Sequence, residues 1–176
     1  MRNEPLALRV NLFAHTGNAG GRERGSMYEG DTMYDVNTKR IDEVLKQMSR
    51  MLALLENLTS RQAADLAADE VALAAMERAL HLSIEAIIDT GNALIDGFIM
   101  RDPGSYADIV EILRDEQVIT DEQAKELTGV VEFRKFLVND YTNVPREAMI
   151  ELAGKGLPVL RQFEPAVRTY LKKELF

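Results

Sequence analysis

The sequence predicts an all-α protein, organised as an antiparallel bundle of four or five helices, two of them long. Apolar residues recur at the i, i+3, i+4, i+7 spacing over long stretches, and the segments between these stretches are short. Hydrophobic residues make up 46% of the 176 residues and aromatic residues 6%, a composition that suits a helical protein. Nothing in the pattern favours a sheet.

Charge and composition narrow the classes of function. The chain has no cysteine, so it forms no disulfide and no thiolate metal site. Its net charge of -8 disfavours attraction of nucleic acid by the whole surface, so RNA binding would need a local basic cleft.

No apolar run approaches the roughly 18 residues of a membrane span. The segment from Leu6 to Ala14 is broken by Arg9 and Asn11 and makes a poor signal peptide. We expect a soluble, cytoplasmic protein.

The first 32 residues differ from the rest of the chain. Five glycines interrupt any periodicity there: Gly17, Gly20, Gly21, Gly25 and Gly30. We predict a disordered N-terminal extension over residues 1–32 and a helical domain over residues 33–176. An alternative is that the natural domain starts near Met33 and that the upstream residues come from an early start codon.

The first half of the domain predicts two long helices. Residues 37–58 follow the helical template closely, with apolar positions at Ile41, Val44, Leu45, Met48, Met51, Leu52, Leu55 and Leu58. After an Ala-rich segment, a second helix is predicted over residues 67–99. Pro103 and Gly104 form a turn that ends this region.

Shorter elements follow. A helix is predicted from Tyr106 to Glu116, and Thr120 with Gln123 predicts a capping box that opens the next helix. That helix should run to Val138 or Tyr141. A last helical region is predicted to start at Pro145, to be bent or interrupted around Gly154, Gly156 and Pro158, and to resume near Pro165.

Arg134 is the unusual residue of the predicted fourth helix. It lies at the centre of an apolar stripe formed by Leu127, Val130, Val131, Leu137, Val138 and Tyr141. A buried guanidinium costs several kcal/mol unless a carboxylate and further hydrogen bonds meet it. Either a partner acid therefore lies across the bundle, or this face lines a polar cleft.

The second long helix offers acids that could meet Arg134. Glu85, Asp89, Asn92 and Asp96 form a narrow polar stripe along it. Such a stripe is often a solvated face. Because Arg134 needs an acid, we expect Glu85 or Asp89 to face it, within the protomer or across an interface. His81 lies beside this stripe and is expected to be a surface or structural histidine.

Four segments resemble the HepT-like branch of the HEPN superfamily. Arg134 to Tyr141 is similar to the branch motif Arg-x-x-x-x-His-x-Tyr, and Met33-Tyr34 resembles the usual start of the domain. Glu85 to Asn92 resembles the family's second helix, and Arg101 to Tyr106 its inter-helix turn. The resemblance covers residues 33–175.

This resemblance implies a homodimer in which two motif helices form a cleft that cleaves RNA without a metal or cofactor. In that cleft the motif histidine handles a proton and Arg134 stabilises the phosphorane charge. Here position 139 is Asn, which cannot shuttle a proton near neutral pH, so catalysis should be weak or absent. Arg134, Asn139 and Asp140 would still bind RNA. The implied partner is an MNT-type nucleotidyltransferase antitoxin that modifies the motif tyrosine, here Tyr141, with AMP.

Three functions therefore stay open. The protein is a HepT-like ribonuclease toxin, intact or attenuated, with Arg134, Asn139 and Tyr141 at its site. Alternatively, it is a non-catalytic dimeric module that binds RNA or a nucleotide. In a third, structural interpretation, Arg134 makes an ion pair with Glu85 or Asp89 and the protein is a helical scaffold.

Overall fold

The computed structural model describes residues 34–176. The extension predicted over residues 1–32 lies outside this range. Within the described residues the structure is helical and contains no strand, which confirms the all-α prediction. No helix of residues 34–176 is both long enough and apolar enough to cross a membrane.

Seven α-helices follow one another along the described chain, with a short 3-10 turn at Tyr141–Asn143 before the last. They are α1 Thr38–Thr59, α2 Ala63–Ala67, α3 Glu70–Gly97, α4 Tyr106–Asp115, α5 Asp121–Glu132, α6 Arg134–Val138 and α7 Arg146–Leu175. The long helices α1, α3 and α7 pack against one another, and α4 and α5 pack as a pair against α3 and α7.

The core lies between the three long helices. Its largest fully buried side chains are Phe163, Ile41, Leu45, Met48, Leu55, Leu66, Met76, Leu80, Ile84, Ile87, Leu94 and Ile112. The i, i+3, i+4 pattern of α1 therefore predicts its buried face correctly. Gly91 of α3 lets α4 approach closely, because a Cβ there would lie 2.4 Å from the Cγ2 of Ile109.

Side-chain caps set several helix starts. The predicted capping box at α5 is confirmed, with Thr120 accepting from the Gln123 backbone and Gln123 accepting from the Thr120 backbone. Helix α3 begins at Glu70 because Asp69 accepts hydrogen bonds from the next turn's backbone amides. The predicted start at residue 67 was therefore too early, since that residue ends the separate helix α2.

Of the bend or interruption predicted for the last helix, the interruption is wrong, because α7 runs unbroken for 30 residues through Pro158 and Pro165. Both prolines are exposed. Proline has no N–H to donate to the carbonyl four residues earlier, so the carbonyls of Gly154 and Arg161 lack their usual helical hydrogen bond, and both of these residues are exposed as well. Water can satisfy those carbonyls. On the opposite face α7 buries Met149, Ala153, Leu157, Leu160, Phe163 and Val167, and this burial holds the helix together.

The helix predicted to carry Arg134 to Val138 or Tyr141 is instead two helices. Helix α5 ends at Glu132, Phe133 forms a tight turn, and α6 begins at Arg134. The Phe133 N–H bonds to the Val130 carbonyl at 3.2 Å, three residues back, rather than four as in an α-helix. Phe133 is buried and packs on Phe136, with ring centroids 5.2 Å apart. The break between α5 and α6 thus coincides with burial of the Phe133 ring.

Candidate functional site

Arg134 meets its acid within the same protomer. Its Nε–H donates to Oε1 of Glu85 on α3 at 2.6 Å, and the two side chains are 19% and 30% exposed. The hydrogen bond that Arg134 donates to Glu85 raises the pKa of Arg134 above its ordinary value, against the opposing effect of partial burial. The guanidinium is therefore permanently charged and held at the edge of the bundle.

An aromatic ring holds the guanidinium from a second side. The Arg134 Cζ lies 4.4 Å from the centroid of Tyr106, the first residue of α4. A cation at this distance is attracted by the face of the ring. Together, the carboxylate of Glu85 and the ring of Tyr106 restrict the guanidinium to a narrow set of positions.

The turn before α4 fixes Tyr106. Arg101 donates two hydrogen bonds to the Asp108 carboxylate, at 2.8 and 2.6 Å, and the Gly104 N–H donates a third at 2.7 Å. Ser105 caps the helix by accepting from the Asp108 backbone. The bonds from Arg101 and then Gly104 lower the pKa of Asp108 to about 2. The segment Arg101 to Tyr106 is thus a braced turn that presents the aromatic ring to Arg134.

Asp89, the acid predicted as the alternative to Glu85, does not contact Arg134 within the protomer. It forms an ion pair with Arg40 of α1, with 3.2 Å between Nη2 and Oδ2. Asp89 lies one helical turn beyond Glu85 on α3, where the neighbouring cation belongs to α1. Asn92 and Asp96 follow on the same stripe, Asn92 half-buried and Asp96 exposed.

His81 is closer to Arg134 than the sequence indicated. Its Nε2 lies 3.4 Å from Glu85 Oε1, the same oxygen that Arg134 contacts. This contact with Glu85 is compatible with the structural histidine expected from the sequence. The i, i+4 spacing of His81 and Glu85 is a signal that could have placed them together.

Arg134 and Asn139 line one cavity of about 300 Å³. It lies between the start of α4 and the α5–α6 region, and its other walls include Ser105, Tyr106 and Lys135. Among the described residues, the Asn139 carboxamide makes no hydrogen bond and is exposed. The charged and amide groups that line the cavity are thus two cations, Arg134 and Lys135, one carboxylate, Glu132, and the exposed amide of Asn139. The prediction from sequence omitted Tyr106 and Lys135.

Asp140 and Tyr141 lie outside this cavity. Tyr141 belongs to the 3-10 turn and is 67% exposed, and Asp140 is also exposed. The buried stripe predicted from Leu127 to Tyr141 is therefore wrong at its end, because α6 ends at Val138 and Tyr141 lies beyond it in the 3-10 turn. Within residues 34–176, no cluster of His, Asp and Glu could hold a metal ion.

A larger groove of about 820 Å³ lies between the start of α5 and the second half of α7. It includes none of the predicted site residues. We place the candidate site at the smaller cavity, because Arg134 and Asn139, two of the predicted site residues, both line it.

Known proteins are similar to this chain over most of its length. A family model for HepT-like ribonucleases matches residues 36–167. The Bacillus subtilis (strain 168) protein named "Putative RNase YutE" is 40% identical over 143 residues, which are 81% of this chain and 95% of that protein.

Solved structures show the same fold. The structure of the cytosolic protein YutE from Bacillus subtilis has a TM-score of 0.75 and 39% identity, covering 81% of this chain and 96% of that one. A tri-AMPylated Shewanella oneidensis HEPN toxin, in complex with MNT antitoxin, has a TM-score of 0.66 and 19% identity. That similarity covers 73% of this chain and 96% of the toxin.

Proposed function

Because the chain belongs to the HepT-like ribonuclease family, we propose that it is a cytoplasmic toxin of a type II toxin-antitoxin pair that binds RNA at the Arg134 cavity. We propose further that it cleaves RNA without a metal, and slowly, because Asn139 stands where the family motif has His. The observation that carries this proposal is the convergence of Arg134 and Asn139 on one cavity.

The chemistry expected there is attack of an RNA 2′-hydroxyl on the adjacent phosphate. The P–O2′ bond forms and the P–O5′ bond breaks, while water takes the 2′-hydroxyl proton and supplies a proton to the leaving 5′-oxygen. Negative charge builds on the non-bridging oxygens. Arg134 is suited to stabilise that charge because it stays protonated and is already oriented by Glu85 and Tyr106. A neutral amide at 139 can donate a hydrogen bond but cannot accept and return a proton. Loss of such a group costs about 10²- to 10⁴-fold in rate.

A second candidate is a non-catalytic RNA- or nucleotide-binding protein. The specific observation that favours it is again Asn139, which faces the ligand cavity as an amide with no described hydrogen-bond partner. Both functions require the Arg134 site to bind an anion. In the structural interpretation the Arg134–Glu85 pair would instead only hold α6 to α3.

The test is cleavage of single-stranded RNA and tRNA in EDTA by the wild type, Asn139→His and Arg134→Ala. Arg40→Ala is the matched control, because it also removes a cation that is paired with an acid of α3. Slow cleavage by the wild type, faster cleavage by Asn139→His and none by Arg134→Ala would support the toxin. Cleavage by Asn139→His alone would favour the non-catalytic binder.

A thermal melt of Arg134→Ala separates these functions from the scaffold interpretation. We expect a folded protein that has lost RNA binding. If the substitution instead unfolds the bundle while the wild type shows no RNA binding, the ion pair is structural and both RNA-based functions fail.

We propose a homodimer as the functional form. Leu137 and Val138 of α6 are only half-buried, so apolar surface is available on the motif helix. Light scattering during size-exclusion chromatography should give twice the chain mass. A monomer at all concentrations tested would contradict the proposed two-protomer cleft.

We also propose Tyr141 as the acceptor of AMP from an MNT-type antitoxin. Its exposure of 67% supports access by another protein, and the Shewanella toxin with this fold is tri-AMPylated. The phenolic oxygen would attack the α-phosphate of ATP and release pyrophosphate. Mass spectrometry after incubation with ATP and the antitoxin should show adenylylation of the wild type. An equal modification of Tyr141→Phe would place the acceptor elsewhere.

A further inference from the structure

A second cavity adjoins the Arg134 site and differs from it in chemistry. It measures about 530 Å³ and is lined by Asn92, Pro103, Gly104, Ser105, Tyr106 and Ile109. Ser105 and Tyr106 line both cavities. None of the six residues lining the second cavity carries a charge, whereas the first includes Arg134, Lys135 and Glu132. The two cavities are thus suited to two different parts of one ligand.

The ring of Tyr106 lies where the cavities meet. It is 48% exposed, although the next residues that α4 turns inward, Ile109 and Val110, are buried in the core. Burial in the core therefore does not explain why an aromatic residue stands at position 106. Arg134 stacks on the ring, and the braced turn at Arg101 and Asp108 fixes the start of α4. An exposed and immobilised aromatic ring beside a phosphate-binding cation is the arrangement on which nucleobases stack.

Asn92 supplies hydrogen-bonding groups to the second cavity. It is half-buried on α3, and within residues 34–176 its carboxamide makes no hydrogen bond. An amide carries both a donor and an acceptor, which matches the paired groups on the edge of a base. The cavity therefore combines a stacking surface with one polar group that can read a base edge.

From these observations we propose that this second cavity binds a nucleobase of the RNA, stacked on Tyr106 and hydrogen-bonded by Asn92. This inference rests on the proposed function, because the phosphate of the same strand lies at Arg134. It adds a base-reading element to a site that would otherwise recognise only the backbone.

The test compares binding of a short single-stranded RNA with binding of the same strand carrying abasic residues, at one salt concentration. The wild type should bind the base-containing strand about tenfold more tightly. Tyr106→Ala should remove that difference, and Tyr106→Phe should keep it, because stacking needs only the ring. Asn92→Ala should change the ranking among homopolymeric strands, whereas Asn57→Ala, at an exposed position of α1, should not.

The results separate failure of this inference from failure of the proposed function. Equal wild-type affinity for both strands, lost in Arg134→Ala, would overturn base recognition and leave RNA binding in place. Binding of neither strand would overturn both. If Tyr106→Ala weakens binding of both strands by the same factor, the ring only positions Arg134 and the base pocket is refuted.

Discussion

Replacement of Glu85 by Gln should strengthen RNA binding. The carboxylate lies 2.6 Å from the guanidinium that the phosphate must approach, so it competes with the ligand for Arg134. A Gln side chain keeps a carbonyl oxygen that can accept the same hydrogen bond. The substitution therefore removes the competing charge while it retains the geometry.

The size of the effect follows from two contributions. A hydrogen bond between charged groups contributes about 1.5–3 kcal/mol and a neutral one about 1 kcal/mol. An anion that displaces residue 85 from Arg134 therefore gives up roughly 1 kcal/mol less in Glu85→Gln than in the wild type. Removal of a like charge some 6 Å from the phosphate adds about 0.7 kcal/mol in a water-like dielectric. The pair is mostly shielded from solvent, at 19% and 30% exposure, so screening is incomplete. We expect about a tenfold lower dissociation constant.

Asp89→Asn is the matched control for this measurement. It makes the same change in net charge one helical turn away, but its partner is Arg40. Fluorescence anisotropy with a labelled single-stranded RNA, near physiological salt, should show less than about a twofold effect for this variant because exposed charges are screened. Equal effects of the two substitutions, or weaker binding by Glu85→Gln, would refute the proposed competition.

Three further predictions concern stability. In urea unfolding, Gly91→Ala should destabilise the protein by about 1 kcal/mol, because overpacking against Ile109 exceeds the gain in helix propensity. Gly129→Ala, whose added Cβ would have open space around it, should stabilise the protein by about 1 kcal/mol in the same measurement. Thr120→Ala should lower the free energy of unfolding by about 1 kcal/mol through loss of the cap, and an unchanged urea midpoint would contradict this. The Asp108 pKa of about 2 lies below its ordinary value of 3.8, so its ionisation stabilises the fold above pH 3.8 and this contribution is lost as pH falls toward 2. Asp108→Asn should therefore have a melting temperature that depends less on pH over this interval, as scanning calorimetry can measure.

Local chemistry made much of the fold predictable. The start of α1 at Thr38 and the start of α4 at Tyr106 agree with the periodicity and turn residues. The cap at Thr120 forms from residues three apart, so its geometry requires no knowledge of the rest of the molecule. Features of this kind depend on residues close together in the sequence, so the sequence pattern alone is enough to predict them.

The errors arise where tertiary packing decides. Pro158 and Pro165 predict a break, but α7 stays intact because the prolines face solvent and the opposite face is buried. Phe133 and Arg134 predict a continuous helix, but the buried aromatic ring accompanies a tight turn. Neither outcome can be derived from local propensity, which contributes less than burial of an apolar face.

The site was predictable only in part for the same reason. Because a buried cation is costly without a partner acid, the sequence indicated that either Glu85 or Asp89 meets Arg134, and Glu85 does. The choice between Glu85 and Asp89 depends on the angle at which α6 crosses α3. Tyr106 contacts Arg134 across 28 positions of sequence, through a turn whose bracing by Asp108 is visible only in three dimensions.

The break at Phe133 determines how Arg134 can function. In a continuous α5, Arg134 would share the buried stripe of Leu127, Val130 and Val131, and its charge would point into the core. In the structure Phe133 fills a buried position, and Arg134 begins a new helix at the edge of the bundle, where α3 and α4 supply its two partners. The break thus places at the edge of the bundle, beside a cavity, a cation that would be costly in the core. A purely structural ion pair would not require the adjoining cavity, the exposed amide of Asn139 or the exposed ring of Tyr106, and their presence together favours the proposed binding site.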